Sequence, residues 1–104
     1  MTKTIYIADD FSTTPAGRYK SDGQFSGEKF RDDILMPALK THDIVIVNLD
    51  NTIGYGSSFL EEAFGGIIRS GTFTHKELKK KLKIKSSRSF YINRVWSYIE
   101  AAKK

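Results

Sequence analysis

Two adjacent serines, Ser57 and Ser58, stand where an apolar strand-like run has ended and an apolar helix-like run begins. A serine hydroxyl at such a joint caps a helix or accepts a phosphoryl group. Glu61 follows Ser58 at the spacing of a capping box, so we assign the cap to Ser58. Ser57 is then left beside free amides and the positive end of the helix dipole, which favour a phosphate. Ser57 is therefore the candidate phosphorylation site, although a small residue in a tight turn is the simpler interpretation.

The loop around these serines is the candidate docking surface for a partner protein. Its two spaced glycines give the chain backbone angles that other residues resist, and its apolar side chains are expected at an exposed tip. Such a tip would suit a homodimer as well as a foreign partner. The candidate partner-binding residues are Ile53, Gly54, Tyr55, Gly56, Ser57, Ser58 and Phe59.

Arg18 follows a glycine in a polar loop and has two interpretations. A guanidinium group binds phosphate through two parallel hydrogen bonds, so Arg18 is a candidate anion contact, for a modified serine among others. It could equally form a surface salt bridge with Asp22 or Glu28. We favour the salt bridge.

The remaining polar side chains do not assemble a catalytic or metal site. His42 and His75 are isolated from any third ligand or nucleophile. Asp9, Asp10 and Asp50 follow strands, where carboxylates more often end strands and cap loops than hold a cation. We therefore expect no enzyme, no metal and no cofactor.

The basic residues are concentrated near the end of the chain. Residues 1–75 carry seven Lys or Arg against ten Asp or Glu, whereas residues 76–104 carry ten against two. The second hypothesis is therefore a small nucleic-acid-associated factor, although few aromatics lie among its cations. A lysine-rich solvated helix face is the plainer interpretation. The candidate nucleic-acid contacts are Lys79, Lys80, Lys81, Lys83, Lys85 and Arg88.

The periodicity of apolar residues and the helix-capping residues predict the strands and helices that position the candidate site residues. Alternation predicts a strand at residues 4–8, and an apolar run, suited to a strand covered on both faces, predicts another at 43–50. Ser26 is the expected cap of a helix that Pro37 should bend or end early. Residues 12–25 are expected to form a loop or a short irregular strand. The other predicted elements are a helix after Ser58, a capped helix at 76–82, a strand at 82–85 and a terminal helix from about 89.

Alternating strands and helices in 104 residues predict one α/β domain, residues 1–104. We expect a mixed or partly parallel sheet of three to five strands packed with three or four helices. The chain has no cysteine, which is compatible with a reducing cytoplasm, and no apolar run long enough to cross a membrane. The expected location is cytoplasmic.

Three blocks of the chain carry a resemblance to a known family. The blocks are Pro-Ala-Gly-Arg18, Gly23-Gln-Phe-Ser-Gly-Glu-Lys-Phe-Arg31 and Ser-Ser-Phe-Leu-Glu-Glu-Ala-Phe-Gly-Gly66, and together they span residues 15–69. They resemble a bacterial group of STAS-like domains of unknown function. That group is distantly similar to the STAS domains of anti-sigma-factor antagonists.

The resemblance implies a regulatory role. In anti-sigma-factor antagonists, the first of two serines at this joint is phosphorylated by a histidine-kinase-like ATPase. By that match Ser57 is the modified position, and the implied partner is such an ATPase or an anti-sigma-type regulator.

Overall fold

The computed structural model describes all residues, 1–104, and its centre is a three-stranded parallel sheet. The order of the strands in the sheet is the same as their order in the sequence. They are β1, Thr2–Tyr6; β2, Ile44–Asn48; and β3, Leu82–Lys85. In register, Ile5 of β1 lies opposite Val47 of β2, which lies opposite Ile84 of β3. The outer strands β1 and β3 therefore each have one edge that pairs with no other strand.

The chain has five helices, which lie in the connections between strands and after the last strand. They are α1, Ile7–Asp10; α2, residues 27–41; α3, residues 57–69; α4, His75–Lys81; and α5, Ser89–Ala101. Ser26 caps α2 by accepting a hydrogen bond from the Lys29 amide at 3.1 Å, as predicted. Thr74 and Glu77 form the predicted capping box of α4.

Two of the helices contain a π turn at their centre. The π turn of α2 covers Arg31–Leu35 and that of α3 covers Glu61–Gly65. In α2, the Met36 amide bonds to the Arg31 oxygen five residues earlier, immediately before Pro37. The widened turn carries the helix through this proline to Thr41, so of the two effects predicted for Pro37, a bend or an early end, the early end is wrong.

The helices cover one face of the sheet. Val45 and Val47 of β2 are fully buried, whereas Ile44 and Ile46 between them are partly exposed and lie outside the core cluster. The expectation that β2 is covered on both faces is therefore wrong. The structure has a single layer of helices and leaves the second face of the sheet open.

The α/β class is confirmed, with differences of detail. The sheet has three strands, all parallel, and the helices number five rather than three or four. Residues 12–25 form a loop with one 3₁₀ turn, Lys20–Asp22, and no strand. No helix is both long enough and apolar enough to cross a membrane.

Candidate functional site

Helix α3 begins at Ser57, two residues before the predicted start after Ser58. Its N-cap is Gly56, which has extended backbone angles and no side chain to accept a hydrogen bond. The prediction that Ser58 caps this helix in a box with Glu61 is therefore wrong. The physical reason is that Arg18, from the loop before α2, and Arg69, at the end of α3 itself, hold the Glu61 carboxylate, which does not turn back to the start of its helix.

Ser57 and Ser58 are both exposed, at the first and second positions of α3. The first turn of α3 has neither an acidic residue nor a side-chain cap. Its open amides and the helix dipole therefore act on Ser57 without local neutralisation.

Hydrogen bonds of two tyrosines, Tyr55 and Tyr91, fix the loop before α3. The Tyr55 hydroxyl donates to the main-chain oxygen of Leu49 at 2.7 Å, and the Tyr55 amide donates to the Tyr91 hydroxyl at 3.2 Å. Gly54 has φ 121°, and a Cβ there would lie 2.9 Å from the Tyr91 hydroxyl, so this position requires glycine. Gly56 has negative φ and open space around it, so its backbone does not require glycine.

These contacts correct part of the predicted docking surface. Tyr55 is 8% exposed and Phe59 is 1% exposed, and both rings belong to the core, so they do not form an exposed tip. Ile53 is 78% exposed and is the apolar side chain that the loop presents to solvent. The accessible part of the predicted surface is therefore Ile53, Gly56, Ser57 and Ser58.

Five charged side chains form an arginine–glutamate cluster beside the π turn of α3. The cluster comprises Arg18, Arg31, Arg69, Glu61 and Glu62. Arg18 Nη1 lies 2.6 Å from Glu61 Oε1 and 3.3 Å from Glu62 Oε1. Arg18 thus forms a salt bridge, but with carboxylates from α3 and not with Asp22 or Glu28.

The other two arginines complete the cluster from both helices. Arg69 binds Glu61 through two nitrogens, at 2.6 and 3.0 Å. Arg31 Nη1 donates to Glu62 Oε2 at 2.6 Å and to the Glu62 main-chain oxygen at 2.8 Å. The cluster therefore joins α2, α3 and the loop that carries Arg18.

The electrostatics of the cluster argue against acid–base chemistry. Hydrogen bonds from Arg69 and then Arg18 hold the pKa of the Glu61 carboxyl below its ordinary value. The same carboxylate raises the pKa values of Arg18 and Arg69. A general acid or base works best with a pKa near the working pH, so these shifts move Glu61 away from that role.

Three glycines allow close packing, two of them against side chains of the cluster and one between α2 and α3. A Cβ at Gly66 would collide with Arg31 Nη1, and one at Gly65 would lie 2.6 Å from Glu61 Oε2. A Cβ at Gly27 would collide with the main-chain oxygen of Phe59. The cost of glycine inside a helix is offset here by contact between α2 and α3.

The six predicted nucleic-acid contacts lie on α4, on β3 and in the segment before α5. Lys81 is occupied, since its Nζ donates to the main-chain oxygen of His42. Lys83 and Lys85 share the open face of the sheet with Ile46, as the strand register requires. The remaining three, Lys79 and Lys80 on α4 and Arg88 before α5, are exposed on other elements.

The isolated aspartates and histidines mostly form hydrogen bonds that hold loops and chain segments in place. Asp50 Oδ1 accepts from both the amide and the hydroxyl of Ser87, which lowers the pKa of the Asp50 carboxyl. Asp10 accepts from the Tyr6 amide, and a ring nitrogen of His75 bonds to the Ala102 oxygen. No group of three histidine or carboxylate side chains converges in a way that could hold a metal ion.

A family model described as a STAS-like domain of unknown function (DUF4325) matches residues 26–89. The chain belongs to this family. The match covers α2 through β3 of the STAS-like domain, and so includes the Ser57 joint and four members of the cluster. Arg18 lies before the matched region. No curated protein and no solved structure matches the chain.

The arginine–glutamate cluster of the STAS-like domain was not predicted from local pattern. Its hydrogen-bonded pairs lie up to 44 residues apart in the chain, and nothing in the periodicity connects them. A signal was nevertheless available. Arg18, Arg31 and the Glu61–Glu62 pair each fall within one of the three blocks that carry the family resemblance.

Proposed function

We propose that this STAS-like domain is a non-enzymatic regulatory module that binds a protein partner at the Ser57 joint. The observation that carries the proposal is the exposed Ser57 hydroxyl at the first position of a helix with no side-chain cap and no acidic residue in its first turn. Ser57 phosphorylation is the proposed switch. The partner class is a histidine-kinase-like ATPase or an anti-sigma-type regulator.

The geometry supports a switch that acts without refolding. A phosphate on Ser57 would lie beside open amides of α3 and gain from the helix dipole, so the domain itself tolerates the added charge. A partner that covers Ser57 and the apolar Ile53 would instead have to desolvate that charge. Phosphorylation then changes affinity through the interface and leaves the fold as it is.

A non-catalytic role agrees with the state of the reactive side chains. The two adjacent glutamates are bound by three arginines, and His75 is bonded to a main-chain oxygen. No nucleophile, base and orienting group are brought together. The hydroxyl groups of Ser57 and Ser58 remain accessible for modification by a partner enzyme.

The direct test has two parts. Affinity-tagged chain is recovered from its source cell, and the segment that carries residues 41–69 is analysed by mass spectrometry for phosphate on Ser57. In parallel, a photo-crosslinking amino acid replaces Ile53, in an otherwise wild-type chain and in chains with Ser57→Asp or Ser57→Ala. We expect one protein adduct that forms with Ser57→Ala and is lost with Ser57→Asp.

Matched controls separate the switch from general charge effects. The crosslinker at Lys40, an exposed position on α2, should give no such adduct, and Ser58→Asp should weaken the adduct less than Ser57→Asp. An adduct indifferent to Ser57→Asp would contradict the switch. Recovery of nucleic acid that is lost at high salt, with no protein adduct, would move the function to the basic residues.

A further inference from the structure

The free edge of β3 combines unpaired main-chain groups with a groove whose lining is half apolar and half charged. The Leu49 amide donates to the Lys85 oxygen at 2.8 Å, so the main chain of Lys85 faces β2. Successive residues of a strand present their amide and carbonyl groups to opposite sides. The amide and carbonyl of Ile84 therefore face away from β2, at an edge where the sheet has no further strand.

The groove beside this edge is formed by α5, α4 and β3 together. It has a volume of about 450 Å³. Its lining is Lys79, Leu82, Lys83, Ile84, Trp96 and Glu100. Trp96 is partly buried and packs against the core from α5, so one wall of the groove is a fixed aromatic surface.

The two faces of β3 differ in chemistry. Leu82 and Ile84 lie on the helix side, whereas Lys83 and Lys85 are exposed on the open side, with Lys83 also at the rim of the groove. A strand added at this edge would place alternate side chains on the same two sides. Apolar residues of that strand would meet Trp96 and Ile84, and acidic residues would meet the two lysines.

We propose that the β3 edge binds an extended segment of a partner protein that alternates apolar and acidic residues, as a fourth strand of the sheet. Main-chain hydrogen bonds to Ile84 supply the pairing, and the groove and the lysines supply the selection. The surface shares no residue with the Ser57 joint, so the inference stands independently of the proposed switch.

The charges at this edge select against two other occupants. Pairing of β3 with β3 of a second copy would bring Lys83 and Lys85 of both strands together on one face, and like charges opposite each other are unfavourable. A nucleic acid would use the lysines but would need neither the Ile84 main chain nor the Trp96 groove. An acidic, strand-forming protein segment uses all of these features.

The test uses a short fluorescent peptide that alternates glutamate and valine. A control peptide has the same composition, with all glutamates placed before all valines, and a second control replaces glutamate with lysine. Fluorescence anisotropy measures affinity, and amide hydrogen exchange followed by NMR locates the contact. We expect the alternating acidic peptide to bind, and the exchange of the Ile84 amide to slow when it does.

Charge inversion gives the decisive variant, because Lys83 and Lys85 are exposed and support no core packing. Lys83→Glu with Lys85→Glu should weaken the acidic peptide about tenfold and make the lysine–valine peptide the better ligand. Lys40→Glu with Lys76→Glu makes the same change in net charge away from the edge and should alter neither affinity. Trp96→Ala should weaken the acidic peptide without changing the charge preference.

Several results would overturn the proposal. The first is that the alternating peptide does not bind. The second is that the control peptide with all glutamates before all valines binds as tightly as the alternating peptide. The third is that binding protects amides other than those of β3. A homodimer in sedimentation with the Ile84 amide already protected would assign the edge to a second copy. Binding of a single-stranded RNA that depends on Lys83 and Lys85 while the Ile84 amide still exchanges freely would assign the lysines to nucleic acid.

Discussion

Nη1 of Arg31 lies 2.6 Å from Oε2 of Glu62 and 2.8 Å from the main-chain oxygen of the same glutamate. Each of these residues lies in the π turn of its helix, so one guanidinium group fastens the irregular centres of α2 and α3 to each other. Glu62 is 7% exposed, and its charge is balanced from three sides by arginines. The pair therefore combines fixed geometry with low exposure to water.

Glu62→Gln should lower the free energy of unfolding by about 2 kcal/mol, because it removes the charge that Arg31 faces while keeping the shape. Urea denaturation at neutral pH measures the change. Asp33→Asn is the matched control, since Asp33 is an exposed carboxylate with no salt bridge on α2, the helix that carries Arg31. A loss for Glu62→Gln no larger than the loss for Asp33→Asn would contradict the role assigned to the pair.

Gly27→Ala should destabilise the domain even though alanine is the better helix former. The added Cβ would press on the main chain of α3 at Phe59, which cannot move aside, and we expect a net loss of about 2 kcal/mol. Gly66→Ala would meet only the movable end of Arg31 and should cost less. Thermal unfolding ranks the variants against Gly23→Ala, a position with open space around it. An increase in stability for Gly27→Ala would show that the helices are not in contact there.

Stability should fall in acid, partly because of Glu61. Its pKa is lower in the folded chain than its ordinary value of 4.5, so its contribution is complete above that value and is lost as pH falls through the folded pKa. Denaturation measured from pH 7 down to about pH 3 should therefore show a shallower decline for Glu61→Gln than for wild type. Glu100→Gln, an exposed carboxylate outside every salt bridge, should leave the wild-type slope unchanged.

The charge at position 57 should alter the stability of α3 in the isolated domain. Ser57→Asp should stabilise the fold by about 0.5 kcal/mol and Ser57→Lys should destabilise it by a similar amount, because the helix start is positive. Chemical denaturation measures both changes. High salt should shrink them, since charge at an exposed site is screened. Equal effects of the two substitutions would show that the amides at the start of α3 do not act on this position.

Tyr55 should make the domain sensitive to alkali. Burial raises the pKa of Tyr55 to about 12, so the stability that its neutral form contributes is present below the ordinary value of 10.0 and is lost as pH rises through the folded pKa. Tyr55→Phe should cost about 1 kcal/mol near neutral pH, through the lost bond to Leu49. The difference from wild type should narrow above pH 10, which unfolding measured across that range would detect. A constant difference would contradict the burial of a neutral hydroxyl.

Local pattern was sufficient for most of the secondary structure. Strand β3 at Leu82–Lys85 and the caps at Ser26 and Thr74 depend on neighbouring residues, and they were predicted correctly. Pattern did not reveal that β2 is covered on one face. An apolar run is expected both for a strand covered on one face and for a strand covered on two. Ile44 and Ile46 differ from the buried valines only in that no helix packs against their face of the sheet.

The errors at the candidate site arise from long-range contacts. Ser58 and Glu61 have the spacing of a capping box, but the Glu61 carboxylate instead binds Arg18, 43 residues away in the chain, and Arg69, two turns further along α3. Tyr55 and Phe59 follow a loop and resemble an exposed tip, yet Tyr91 from the last helix draws that loop onto the core. Neither competitor has a signal in the segment itself.

The π turn in α3 has a consequence for insertion and deletion. A π turn holds one more residue than an α-helix would over the same rise, and one residue corresponds to about 100° of rotation about the axis. Deleting one residue between Glu61 and Gly65 would leave a regular, unbroken helix. It would also swing Gly66 and Arg69 around the axis, away from Arg31 and Glu61. The two halves of α3 are thus in different rotational phases, and a change of length by one residue would split the arginine–glutamate cluster between them without breaking the helix.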